Sequence, residues 1–247
     1  MPDFQRLKEL AERSYNSGTF TFTDFLSAAE LSDYFEKERD LSFAAPKLFG
    51  GCEIAERKII RFGNPAELGY DVEFPITALS VEPVAAKFSD DLNHRDFLGA
   101  LMNLGIKREV LGDIFVKGSR ACVFCREDIA DYIIENLTRI KHTSVKVSKT
   151  NDTKELIAPT LEDKVILLSS ARADAVIAKV YNISRNDSVS KFQAGLVYLN
   201  GRECTENAKD LKPGDILSVR GLGKFEYSEE LGTSKKGKLN SLVRIYS

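Results

Sequence analysis

Three groups of residues in this sequence could do chemistry: a cysteine pair, a His-Arg-Asp string and a run of C-terminal cations. Cys122 and Cys125 stand as Cys-Val-Phe-Cys, Cys52 and Cys204 lie far away, and His94 and His142 are the only histidines. A tetrahedral zinc site needs a second close ligand pair, so no metal site is expected. A thioredoxin-type pair opens a helix. Ala121-Cys122-Val123-Phe124 instead reads as a strand, where residues three apart point to opposite faces, so both thiols are expected in the core. His94-Arg95-Asp96 has the form of a kinase catalytic loop, but Leu101 stands where that motif needs a metal-binding Asn. Neither an Asp-Phe-Gly nor a glycine-rich phosphate loop accompanies it. With Leu98, Leu101, Met102 and Leu104 following, the string reads as a helix start, His94 and Asp96 serving as capping and dipole partners. No catalytic residue and no cofactor are expected.

The cations remain. The 247 residues carry 35 Lys+Arg against 37 Asp+Glu, a net charge of −2 that taken whole argues against a nucleic-acid binder. The balance is uneven along the chain. Residues 164–247 carry 14 Lys+Arg against 9 Asp+Glu, a net of +5, and residues 1–163 carry 21 against 28, a net of −7. Arg172, Arg185 and Lys191 sit on expected helices, Arg220 and Lys224 follow an expected last strand, and Lys235-Lys236-Gly237-Lys238 comes after. Such cations displace counterions condensed on phosphates; a solvated basic face is the plain alternative.

The elements that must position these residues can be read from periodicity. Phe4, Leu7, Leu10 and Ala11 form a helical stripe ended by Asn16-Ser17-Gly18. Thr23 or Asp24 is expected to cap a second helix bearing Leu31, Tyr34 and Phe35. Ile54 to Phe62 reads as a strand or short helix carrying Arg57, Lys58 and Arg61. From Ile76 to Val147 the order is β-α-β-β-α-β, that of ferredoxin-like and RNA-recognition folds, without the two exposed aromatics that would license RNA binding from topology. Asn151 to Asp163 reads as a linker or strand edge. Ala171 to Val180 and a Ser184-capped segment, with Asp187 at its third position, make two helices. Leu196 to Leu199, a type I′ turn at Asn200-Gly201, and Ile216 to Val219 add a small sheet.

The expected architecture is α+β in three parts. These are an N-terminal α/β domain (1–75), a ferredoxin-like middle domain with a linker (76–163) and a C-terminal domain of two helices plus a small sheet (164–247). No run of about eighteen apolar residues occurs, so no transmembrane helix is expected. No apolar leader follows Met1, and four cysteines suit a reducing cytoplasm.

Arg172-Ala-Asp174, Ser184-Arg185, Lys191, Gly195-Leu-Val197, Asn200-Gly201 and Pro213-Gly214-Asp215 resemble the alpha-L, or S-four-type, RNA-binding domain. That resemblance implies that Arg172, Ser184, Arg185 and Lys191 contact RNA, with Val197 and Ile216 structural. Upstream, Gly50-Gly51 with Ala55-Glu56-Arg57-Lys58, then His94 to Arg108 and Gly112-Asp113-Ile114, resemble the YlmH family, also called RqcP. So does Arg220-Gly-Leu-Gly-Lys224-Phe with Thr233-Ser-Lys-Lys-Gly-Lys238. The resemblance implies a monomer that binds rRNA and tRNA on the large ribosomal subunit. It further implies a part in ribosome-associated quality control, stabilising peptidyl-tRNA while a tailing factor extends the nascent chain, with no membrane partner. The implied RNA-binding set is Arg172, Ser184, Arg185, Lys191, Arg220, Lys224, Lys235, Lys236 and Lys238, with Arg57, Lys58 and Arg95 as further candidates.

Two other function classes fit parts of the sequence. A pseudouridine synthase-like RNA-modifying enzyme often carries an alpha-L domain, but ahead of its catalytic domain and with an Arg-Leu-Asp that this chain lacks. A division-linked protein scaffold would act through the acidic body, which a solvated surface explains equally well.

Overall fold

The computed structural model describes residues 4–158, 161–234 and 237–246. The chain is α+β and divides into two units, Met1–Ala158 and Pro159–Ser247.

The first unit begins with α1 (Phe4–Ser17), β1 (Thr21–Phe22), α2 (Ala28–Lys37), β2 (Lys47–Phe49), β3 (Ile59–Phe62) and α3 (Pro65–Leu68). The stripe foreseen on α1 is the buried one, Leu7, Leu10 and Ala11, and it packs with Leu31, Tyr34, Leu41 and Phe62. The strands pair antiparallel in the order β1-β3-β2. The cap of α2 corrects the sequence reading. Ser27 accepts from the Glu30 N–H, and the Glu30 carboxylate accepts from the Ser27 N–H, a capping box. The expected caps are engaged elsewhere: Thr23 donates to the Asp24 carbonyl and accepts from the Ile60 N–H, while Asp24 pairs with Arg126.

β4 (Ile76–Pro83), α4 (His94–Asn103), β5 (Leu111–Lys117), β6 (Arg120–Arg126), α5 (Glu127–Asn136), β7 (Arg139–Ile140), β8 (Thr143–Lys149) and α6 (Lys154–Ile157) complete the unit. The sheet order β5-β6-β4-β8-β7, antiparallel throughout, is the ferredoxin-like arrangement with a short edge strand added. Asn93 caps α4 by accepting from Arg95 and Asp96, and Asp96 accepts back from Asn93. The start of α4 is therefore a capping box, with Asp96 in the role read for it.

The two sheet faces differ. One packs α4 and α5 through Phe97, Leu101 and Ile133 against Leu79, Val81 and Val123. The other is covered by Phe25, Ile59 and Leu156, which pack on Cys122 and Phe124. Cys122 and Cys125 thus project to opposite faces of β6, and burial pushes each thiol up to about 12. The glycines of the motif strings allow this close fit. A Cβ on Gly51 would stand 2.3 Å from the Phe124 ring, and one on Gly112 would stand 2.8 Å from Phe25.

The second unit contains β9 (Leu161–Leu168), α7 (Ala173–Val180), α8 (Arg185–Gln193), β10 (Val197–Leu199), β11 (Arg202–Glu203), β12 (Asp215–Val219), β13 (Gly223–Thr233) and β14 (Leu239–Tyr246). Its sheet has six strands in the order β11-β10-β12-β13-β14-β9, larger than the small sheet expected. The strand before Arg220 is not the last: β13 and β14 form a long hairpin, and β9 starts within the segment read as a linker. Bulges between Tyr227 and Glu229 and between Glu230 and Gly232 break the alternation of β13, which hides its length from a period-two reading. The hairpin turn at Asn200-Gly201 is as foreseen, both residues having positive φ, 52° and 81°. Val176, Ile177, Phe192, Val197, Leu217, Phe225 and Val243 form the core.

Because β9 brings Glu162 and Asp163 into this unit, residues 159–247 balance at +3 and residues 1–158 at −5. Asp163 is paired with Arg244 at 3.1 Å.

Candidate nucleic-acid interface

The second unit organises its cations around one carboxylate. Asp174, in the first turn of α7, is 1% exposed. Its Oδ1 accepts from Arg172 Nε at 3.2 Å and Arg185 Nη2 at 3.3 Å. Its Oδ2 accepts from Arg172 Nη2 at 3.0 Å, Arg185 Nε at 3.2 Å and Asn207 Nδ2 at 3.3 Å. Burial alone would raise the Asp174 pKa; the hydrogen bonds from Arg172 and Arg185 outweigh it and hold the carboxyl below its ordinary range.

Local chemistry sets this arrangement. Arg172 is the extended N-cap of α7, and the first N–H groups of that helix donate to the carbonyls of Lys209 and Asn207. Ser184 caps α8, accepting from the Asp187 N–H at 3.0 Å and donating to its carboxylate at 2.7 Å. Buried Ser188 donates to the Asp174 carbonyl at 2.8 Å and fastens α8 to the start of α7. Each arginine uses its Nε–Nη2 edge on Asp174, and the side chains remain 36% and 56% exposed at Arg172 and Arg185. A guanidinium is planar with two usable edges, so the Nη1 side of each stays available for a phosphate.

Beside this cluster a groove of about 620 Å³ runs along α7, the end of β9 and the turn of the β13–β14 hairpin. Arg185, Lys179 and Lys238 supply its cations, and no acidic residue among the described ones lines it. Ala175, Ala178 and Ile183 form its apolar side.

The structure divides the sequence-predicted set. Arg172, Ser184 and Arg185 meet at the adjoining N-terminal ends of α7 and α8, and Lys238 joins Arg185 in the groove. Lys191 is half-buried further along α8. Arg220 and Lys224 belong to the opposite ends of the helices. The Arg220 N–H donates to the Leu196 carbonyl just beyond α8, and a Cβ on Gly223 would stand 3.5 Å from the Tyr181 hydroxyl at the end of α7. There Arg220 lies over the Tyr198 ring at 5.2 Å and Lys224 over the Tyr246 ring at 5.4 Å. Lys235 and Lys236 fall outside the described residues. Lys179 and the anchoring role of Asp174 were missed; the Arg-x-Asp spacing was a sequence signal for Asp174.

In the first unit, Arg57, one of the further RNA-contacting candidates, is engaged within the fold. Its Nε donates to the Leu111 carbonyl at 3.0 Å, and its Nη2 donates to those of Phe25 and Arg108 at 2.8 and 3.3 Å. Asp113 Oδ2 accepts the N–H groups of Glu56 and Arg57 at 2.5 and 3.2 Å. The Ala55-Glu56-Arg57-Lys58 string and the Gly112-Asp113 string are therefore two halves of one internal joint. Lys58 bridges to Leu26 through its backbone. Arg95 is exposed in the first turn of α4.

Among the described residues, no helix is long and apolar enough to cross a membrane, and no group of three His, Cys, Asp or Glu side chains is placed to hold a metal ion.

Comparison with known proteins adds independent findings. Residues 70–154 match the family model described as "Putative RNA-binding domain in YlmH". This match lies on the ferredoxin-like sheet and its helices, not on the C-terminal unit where the sequence concentrated its cations. Over 235 residues the chain is 29% identical to the Ribosome-associated protein quality control protein P2 of Bacillus subtilis (strain 168), covering 94% of this chain and 88% of the relative. The solved Cell division protein ylmH from Streptococcus pneumoniae aligns with a TM-score of 0.46 at 20% identity, covering 62% of this chain and 92% of that one. These findings agree with the resemblance read from the motif strings: residues 70–154 are similar to the domain described for YlmH, and the chain is similar over most of its length to the Bacillus quality control protein.

Proposed function

We propose that this protein is a stoichiometric RNA-binding factor of the large ribosomal subunit. In this reading it engages structured rRNA and tRNA and stabilises peptidyl-tRNA while a tailing factor extends a stalled nascent chain. The observation that carries the reading is the Arg172–Asp174–Arg185 constellation. A buried carboxylate holds two guanidiniums in fixed orientation beside a groove that, among the described residues, has no acids. The resulting pair is pre-ordered, so less side-chain entropy is lost when each free edge meets a phosphate. The name of the Bacillus relative, a ribosome-associated quality control protein, supports the ribosomal setting. The description of the domain at 70–154 supports RNA as the ligand.

In the ferredoxin-like part, the sheet face that RNA-recognition modules use for stacking bases is here occupied by Phe25, Ile59 and Leu156. RNA contact in that part therefore falls to exposed cations such as Arg95 rather than to aromatic stacking. In the second unit Arg172, Arg185 and Lys238 form the principal contact. Lys191, Arg220 and Lys224 extend it, and Ser184 acts through its cap.

Filter binding to large-subunit rRNA across a salt series tests the reading. Affinity is expected to fall steeply with salt, with a slope of roughly 0.9 per phosphate neutralised, and the pair Arg172→Glu/Arg185→Glu is expected to abolish co-sedimentation with large subunits. Salt-insensitive association, or association unchanged in that variant, overturns it. An RNA base modified in a turnover-dependent way, and lost with one Asp→Asn change, would favour the enzymatic alternative instead.

A further inference from the structure

We infer that the groove beside α7 and α8 receives one unstacked nucleotide of the bound RNA, its phosphate on the cations and its base on the apolar side. The inference rests on the RNA reading above and concerns which RNA shape the site selects.

Two observations do not suit a paired helix alone. The groove, at about 620 Å³, falls within the 300–1,000 Å³ range typical of small-molecule sites, and is a concavity rather than a flat basic face. Its walls also carry apolar surface that phosphates cannot use. Ala175, Ala178 and Ile183 line it, and Leu167 and Leu168 line it at the end of the edge strand β9. A duplex offers this site phosphates and sugars but keeps its bases stacked inside, leaving Ile183 and the alanines wet. An extruded nucleotide offers a charged group and a planar apolar one together. RNA-binding proteins recognise bulges and loops in this way, with splayed bases lying on side chains or guanidinium planes.

The groove also holds groups able to read a base edge. Asn182 lines it from a left-handed backbone conformation, φ 53°, and presents both a donor and an acceptor. Ser169 and Ser170 add hydroxyls. Arg185 contributes its charge to the phosphate while Asp174 fixes its Nε–Nη2 edge.

The test uses the full chain and two RNA hairpins of identical stem, one with a single-nucleotide bulge and one fully paired. Stacking or apolar capture of one base is worth about tenfold in affinity or more, so the native protein is expected to bind the bulged hairpin about tenfold tighter. Ile183→Thr makes the apolar side polar and Ala178→Phe fills the groove, and neither changes a charge. Both are expected to erase the preference while leaving affinity for the paired hairpin within about twofold. Equal affinity for both hairpins, with both still lost in Arg172→Glu/Arg185→Glu, overturns this inference and leaves the RNA reading intact. A preference that survives Ile183→Thr and Ala178→Phe places the bulge elsewhere and also overturns it. Binding to neither hairpin overturns both readings.

Discussion

Two arginine pairs in this protein are put to opposite uses. Arg57 and Arg108, in the first unit, point their guanidiniums at backbone carbonyls. Arg57 reaches those of Phe25, Arg108 and Leu111, and Arg108 reaches those of Leu111 and Gly112. Burial, with Arg57 adding to it, pulls the Arg108 pKa down to about 10. Arg172 and Arg185 share one buried carboxylate and keep an edge in solvent. In the first pair the bonded donors all go to backbone carbonyls of the fold. In the second they go to one carboxylate, which orients the rest of each guanidinium. A pair of arginines near other cations is therefore no evidence of a binding face until the acceptors are known: carbonyls absorb it into the core, whereas a buried carboxylate presents it.

The sharpest way to break this comparison is Arg57→Ala. Three buried or half-buried carbonyls lose a charged donor, and the expected cost is about 3 kcal/mol of unfolding free energy, read by urea titration. RNA affinity of the folded protein should not change; a loss of affinity without a loss of stability would place Arg57 on the binding face after all. Next in size, Arg185→Ala is expected to weaken RNA binding about tenfold and Lys238→Ala about threefold, since Arg can clamp phosphate with two bonds while Lys is a point charge. Equal losses in a filter-binding comparison would remove the distinction. Asp174→Asn is expected to lower affinity a few-fold although it makes the face more positive, because the guanidiniums lose their anchor. A rise in affinity would show that net charge, not orientation, governs binding.

The smallest effect expected is in pH dependence, where buried Asp174 and half-buried Asp113 carry opposite signs. The Asp174 carboxyl is held below its ordinary range in the folded chain, so its contribution is complete above the unfolded value and is lost as pH falls through the folded one. Asp113 is pushed up by burial against the N–H groups of Glu56 and Arg57, so its folded form gains relative stability as pH falls through its raised value. Thermal unfolding from pH 7 to pH 3 should therefore steepen in Asp113→Asn and flatten in Asp174→Asn. The same change of slope in both variants would contradict the assignment.

Much of the architecture was legible in the residues. The α1 stripe, the β-α-β-β-α-β order, the opposite-facing cysteines and the Asn200-Gly201 turn all follow from periods of 3.6 and 2 and from turn chemistry. The missed features share one cause: partners distant in sequence. The α2 cap moved to Ser27 because Thr23 and Asp24 had found Ile60 and Arg126. The length of β13 was concealed by bulges, and β9 became a strand only because β14 lies beside it.

The sequence by itself determined which side chains are cationic, where helices begin and end, and that the motif strings follow one another in YlmH order. Local periodicity, capping and charge are properties of neighbours along the chain and need no fold to be read. Tertiary structure alone decided which cations remain available. It joined Arg57 to carbonyls more than thirty residues away in either direction, and it brought Lys238 from a hairpin turn into the groove of Arg185. Whether a guanidinium meets solvent or a carbonyl depends on which distant segment packs against it, and long-range packing sets that.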